Sequence, residues 1–216
     1  MTIKELYDNL YDSSTPRNSK FFIETFEKNY VITSHVDLTN LSEYEYTMWL
    51  TADYAISLED KGYLQKGIEY LDKAINLFEN YPNYRKEKLF EIEYYELLIF
   101  HKARALYNLK KYSASLSLFK ELDKAFPNND KYLGWVNGIR NKAIDRLTWI
   151  ATGIMFAVMM LISFFKGRNI MFDKITYWLL FASFLFFVVC FVFNIIGRIR
   201  DKIIMTHNRV EGSDSK

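Results

Sequence analysis

The chain has 216 residues, with 28 Lys and Arg against 26 Asp and Glu, three prolines, eight glycines and one cysteine. A charged fraction of 25% beside 18% aromatic residues is unlike a disordered chain, and one cysteine builds neither a disulfide framework nor a thiolate metal site. Proline and glycine are too sparse for an all-β protein that turns about every 8–12 residues, so an all-α fold is expected. In chain order, Thr2 followed by Glu5 predicts a capping box opening a short helix, TIKELYDNLY, which stops before Ser13, Ser14, Thr15 and Pro16. A second helix, SKFFIETFEKNY, starts near Asn18 or Ser19 and sets Phe21, Phe22, Phe26 and Tyr30 on one face. The loop ITSHVDLTN follows.

From Asn40 the chain repeats itself. In DYAISLEDKGYLQKGIEYLDKAINL, small residues stand at Ala55, Gly67 and Ala74, large apolar ones at Leu58 and Leu71, and Lys61-Gly62 makes a turn. In ARALYNLKKYSASLSLFKELDKAFPNN the same places hold Ala103, Ser115, Leu106 and Phe119, with Leu122 departing from the third small position and Pro127 closing the unit. Small residues let paired helices approach closely. These segments resemble tetratricopeptide repeats, a family of helix–turn–helix units of about 34 residues. The resemblance frames units at about 48–81 and 96–129, starting 48 residues apart. That excess predicts lengthened helices, with NYRKEKLFEIEYYELLIFHKARALYNL as one long helix after Pro82. The next stretch, NNDKYLGWVNGIRNKAIDR (residues 130–146 for the most part), marks an apolar face with Tyr132, Trp135, Ile139, Ala143 and Ile144, and reads as a capping helix.

The resemblance also implies a concave groove lined by the first helix of each unit. Carried across, its positions are Trp49, Ala52, Asp53, Ile56 and Glu59, then Leu97, Phe100, His101, Arg104 and Tyr107. Aromatic area with a few orienting charges suits a peptide or helix of a protein partner.

Mean hydropathy is −0.11, yet the apolar residues are unevenly spread. Residues 147–165, LTWIATGIMFAVMMLISFF, and 175–197, ITYWLLFASFLFFVVCFVFNIIG, carry no charge. Each exceeds the roughly 18 residues that suffice for a bilayer span, and neither shows a polar face. With a nine-residue loop between them they predict an antiparallel transmembrane hairpin over 147–198, with Trp149, Tyr177 and Trp178 at the interfaces. Beside the spans, Arg140, Lys142, Arg146, Arg198, Arg200, Lys202 and Arg209 outnumber Lys166, Arg168 and Lys174 of the loop, so both termini are expected in the cytoplasm. No signal peptide is expected at the start, where an apolar h-region is absent. Gly153, Ala157, Ser183 and Asn194 are candidates for contacts between membrane helices. Residues 199–216 form a basic and polar tail. Cys190 reads as apolar filler in the second span.

The domain in front of the membrane, residues 1–146, holds 20 basic and 22 acidic side chains. They are unevenly placed, with 4 basic and 11 acidic in residues 1–60, and 16 basic and 11 acidic in 61–146. An anionic leaflet favours the basic half. His35, His101 and His207 are scattered, and no phosphate loop, nucleophile elbow or HExxH motif occurs. No enzyme, metal, cofactor or nucleic-acid partner is expected. The expectation is an integral, multi-pass membrane adaptor or scaffold: a cytosolic repeat-like domain binds a protein partner and a hairpin anchors it. Two alternatives remain open: a sensor or oligomerisation domain, forming a homo-oligomer, that drives a pore-forming hairpin, and a subunit of a larger membrane complex.

Overall fold

The computed structural model describes residues 1–12, 18–127 and 129–165, with short stretches between 178 and 199, and every described element is helical. The chain divides into two units, Met1–Phe126 and Pro127–Lys216.

In the first unit, α1 (Ile3–Tyr11) opens with the expected capping box: the Thr2 N–H donates to Glu5 at 2.9 Å and the Glu5 N–H donates to Thr2 Oγ1 at 3.2 Å. Both orphan donors are thereby satisfied, and Ile3, Leu6 and Leu10 are buried on one face. Helix α2 (Ser19–Lys28) starts at Asn18, whose side chain accepts from the Phe21 N–H at 2.8 Å. It ends earlier than its sequence suggests. Asn29 breaks the helix, its side-chain amide donating to the Thr25 carbonyl, and a five-residue helix α3 (Tyr30–Ser34) occupies the start of the expected loop. The buried side chains of α2 are therefore Ile23 and Phe26, while Tyr30 stands 49% exposed on α3.

Helix α4 (Leu41–Asp60) is capped by Asn40 and is buried around most of its circumference. Its neighbours explain why: α1, α2, α5 (Leu64–Asn80) and α6 (Glu93–Asn108) all pack on it. Leu50, Tyr54 and Leu58 join the side chains of α1 and α2 in one core, where the Phe26 and Tyr54 rings stack 4.0 Å apart. Helix α5 packs in turn on α6, and α6 on α7 (Tyr112–Ala125).

The two hairpins, α4–α5 and α6–α7, turn in the same way. Gly62, at φ +83°, donates to the Glu59 carbonyl and Tyr63 donates to that of Leu58, both at 2.9 Å. Lys110, at φ 62°, and Lys111 repeat these bonds to Tyr107 and Leu106, also at 2.9 Å. This is the Schellman closure, which satisfies the last carbonyls of a helix through a left-handed residue. Gly62 and Lys110 stand 48 residues apart, the spacing of the two sequence frames. The extra length is not one long helix. Between α5 and α6 the chain runs through a connection whose Lys86–Glu91 form a 3-10 helix, and α6 begins only at Glu93.

The second unit is dominated by α8 (Asp130–Phe165), 36 residues long. At about 1.5 Å per residue it extends about 54 Å. Asn129 opens it, its side chain accepting from the Lys131 N–H at 3.1 Å. Tyr132, Val136 and Ile139 are buried, Val136 joining the expected face and Trp135 lying half-buried at its edge. No break occurs at Arg146 or Leu147. Within Asp130–Leu161 this helix is long and apolar enough to cross a membrane, and 6% of its apolar window is buried, unlike the core helix of a soluble protein. The loop 166–174 and the tail 201–216 lie outside the described residues. Of 175–197, the described residues are helical, and Phe187, Phe191 and Ile195 line a cleft of about 450 Å³ with Asp145, Thr148, Trp149 and Thr152.

Candidate functional site

The groove positions carried over from sequence do come together along α4 and α6, and most of their polar atoms are already engaged. Glu59, in the last turn of α4, is 4% exposed. Arg104 Nε lies 2.9 and 3.1 Å from its two carboxylate oxygens, and Arg104 Nη2 also donates to it. Arg104 Nη2 reaches Asp60 at 2.6 Å, and His101 Nδ1 lies 3.0 Å from Glu59 Oε2. A buried carboxylate requires such partners. Burial alone pushes the Glu59 carboxyl up, but the bonds from His101 and Arg104 outweigh it and hold the pKa below its ordinary value. The Arg104 guanidinium is raised in return, chiefly by its bond to Glu59.

One turn and a half back along α4, Asp53 accepts from the hydroxyls of Tyr11 and Tyr94, the latter at 3.0 Å. This ties α1 and α6 to the central helix. Burial first, then the Asp53 charge, drives the Tyr11 pKa well above the usual phenol range. Trp49 sits edge-on between Phe78 and Tyr94, with ring centroids 5.5 and 4.6 Å away. Phe100 is buried against Phe119 at 5.9 Å, and Tyr107 meets Tyr112 at 5.5 Å. Ala52 is fully buried and Leu97 half-buried. Ile56 lines a cleft of about 300 Å³ with Asp53, Asp60, Tyr11 and Tyr94. Helices α1 and α2 pack on α4, and Leu10, Phe21 and Phe22 form the opposite wall of this cleft.

Glu59, Asp60 and His101 bring ligand-type atoms within 4.8 Å of one another, the one metal-compatible grouping among the described residues. Arg104 already bonds both carboxylates, and a guanidinium there supplies the positive charge that a metal ion would bring. Glu59, His101 and Arg104 were each named from sequence, but their bonding was not, because Glu59 lies 42 residues from His101 and 45 from Arg104.

A larger cleft, about 550 Å³, opens on the other flank of the α4–α5 hairpin. Tyr30, Leu38, Tyr70 and Leu77 supply its apolar walls and Asp72, Lys73 and Asn76 its polar ones. Four of the six exposed large apolar side chains of this unit, Tyr30, Val31, Leu38 and Leu41, fall in α3, the loop after it and the first residue of α4. Sequence reading ended the second helix at Tyr30 and made residues 32–40 a plain loop. The adjacent Tyr30 and Val31, with Leu38 beyond them, were the signal available.

In the second unit, Gly153 and Ala157 are exposed on α8, and a Cβ at Gly153 meets nothing within 4 Å. Ser183, Asn194 and Cys190 lie outside the described residues. Comparison with protein-family models, with curated proteins and with solved structures gave no match.

Proposed function

We propose that the chain is a membrane-anchored adaptor in which a helical-repeat domain similar to tetratricopeptide arrays binds a protein partner beside the bilayer. The observation that carries this reading is the continuity of α8, one helix from Asp130, through a half with buried Tyr132, Val136 and Ile139, into the charge-free 147–165 stretch. A bilayer core about 30 Å thick takes about 20 such residues. The second charge-free segment, 175–197, would complete a hairpin with both termini on the cytoplasmic side, the side with more Lys and Arg. The repeat resemblance rests on the two hairpins with identical turns 48 residues apart and on small residues at the crossings.

The engaged groove residues shift the partner surface. Arg104, Glu59 and Asp53 hold helices together, so the adaptor reading places a partner's apolar side chains at the cleft of Tyr30, Leu38, Tyr70 and Leu77 instead. Exposed contiguous apolar surface on a folded unit marks interaction sites. Two measurements test the reading. Alkaline carbonate should leave the full chain in the membrane pellet; release into the supernatant would defeat the anchor. In photo-crosslinking from position 38, a discrete adduct that disappears with Tyr30→Asp supports the cleft as the partner surface, and no adduct from a folded, membrane-held chain would remove the adaptor role.

A further inference from the structure

Several lysines of the helical unit sit on carboxylates: Lys66 on Glu27 at 2.6 Å, Lys73 on Glu69 at 2.9 Å and Lys102 on Asp72 at 2.6 Å. Those at the outer edge of the second hairpin do not. Lys110, Lys111, Lys120 and Lys124 are all exposed, and none has a carboxylate within ion-pair distance among the described residues. Ser115, Phe119 and Leu122 point α7 inward, which leaves Ser113, Ser117, Lys120 and Lys124 in a row outside. Lys110 and Lys111 stand at the start of that row, and Glu121 is the one exposed acid on the helix.

The chemistry of this edge narrows its occupant. Among the described residues, no exposed large apolar side chain occurs between Tyr63 and Leu147. An edge without aromatic or aliphatic anchors lacks what a protein hot spot or a stacked base requires. Flexible ammonium groups on a flat helix face suit a diffuse layer of phosphates. Basic residues also predominate in 61–146, the half of the domain next in sequence to the apolar stretch, and α7 ends five residues before α8 begins.

We propose that the α7 edge of Lys110, Lys111, Lys120 and Lys124 docks on the anionic lipid headgroups of the membrane that anchors the chain. The proposal rests on the membrane-anchored reading above. It is tested with the full chain in nanodiscs of phosphatidylcholine alone or with about 30% phosphatidylglycerol, by mass spectrometry of lysine acetylation under a water-soluble reagent. Docking slows acetylation of the four lysines about threefold or more in the anionic discs, and about 0.5 M NaCl abolishes the slowing. Lys4, exposed on α1, keeps its rate. Lys120→Glu with Lys124→Glu removes the lipid-dependent slowing at Lys110 and Lys111. Equal rates in both discs, or equal slowing at Lys4, overturn the proposal while leaving the anchor intact. Slowing by added polyglutamate in neutral discs without any effect of anionic lipid also overturns it, assigning the edge to an acidic protein. A chain that does not co-elute with the discs fails the membrane reading itself, and the proposal with it.

Discussion

The α4–α5 and α6–α7 hairpins share one backbone plan and solve it with different residues. The left-handed turn position holds Gly62 in the first and Lys110 in the second. The close crossing holds Gly67 in the first, where an added Cβ would meet the Glu59 backbone nitrogen at 3.3 Å. In the second it holds Ser115, fully buried, whose hydroxyl donates to the Ala103 carbonyl at 2.8 Å. One hairpin is joined by the absence of a side chain and the other by a hydrogen bond. The geometry common to the two hairpins thus constrains the distance between helices more tightly than the chemistry that fills it.

The joint between the hairpins is the place to break this scheme most severely. Arg104→Ala leaves the buried Glu59 carboxylate with His101 alone, and about 3 kcal/mol of stability is expected to go. Thermal unfolding of the detergent-solubilised chain, followed by circular dichroism, should show a Tm lower by about 6–12 °C. Gly67→Val comes next, at about 2 kcal/mol, because a branched side chain meets rigid backbone; Ser115→Val is the paired experiment on the second hairpin. Ser115→Ala, which only removes a hydroxyl, is expected to cost about 1 kcal/mol. If Gly67→Val and Ser115→Ala cost the same, the two crossings are not as different as their geometry indicates.

Titration separates the joint from the core. Glu59, and Glu27 through its bonds from Lys66 and Tyr54, have lowered pKa values, so their contribution is present above the ordinary value of 4.5 and is lost as pH falls through the folded values. Tyr11, Tyr54 and Tyr95 are raised, chiefly by burial, Tyr54 to about 12. Their neutral forms belong to the fold, so that stability is complete below pH 10.0 and drains away as pH rises above it. Denaturation midpoints measured across pH should therefore fall at both ends, and Glu59→Gln should flatten the acid limb. The smallest effect expected is a gain. Lys110→Gly relieves the left-handed strain at φ 62° and should stabilise by about 0.5 kcal/mol, whereas Gly62→Lys should lose about 1 kcal/mol.

What was legible in the chain followed local rules. The Thr2 and Glu5 cap, the Asn18 start and the Lys61-Gly62 turn all depend on neighbours a few residues away. The stop of α2 at Asn29 and the 3-10 connection before α6 were not legible, since their apolar spacing is compatible with a continuing helix. Trp49, Asp53, Glu59, His101 and Arg104, expected to line a groove, lie along α4 and α6. That Asp53 and Glu59 are spent on tyrosine, histidine and arginine partners was hidden, because no periodicity records which distant donor reaches a buried carboxylate. Where charge sits in a helical sequence therefore says little about whether it is free to meet a ligand.

Helix α8 carries two different faces on one axis: Tyr132, Val136 and Ile139 near its start, and the charge-free stretch after Arg146. With no loop between them to absorb a change, the two are locked in angular phase. Inserting one residue near Lys142 would turn everything downstream by about 100° and advance it by about 1.5 Å. Seven inserted residues, about two full turns, would nearly restore the phase while lengthening the rod by about 10 Å. Azimuth and reach can thus be varied separately in this protein by counting residues alone.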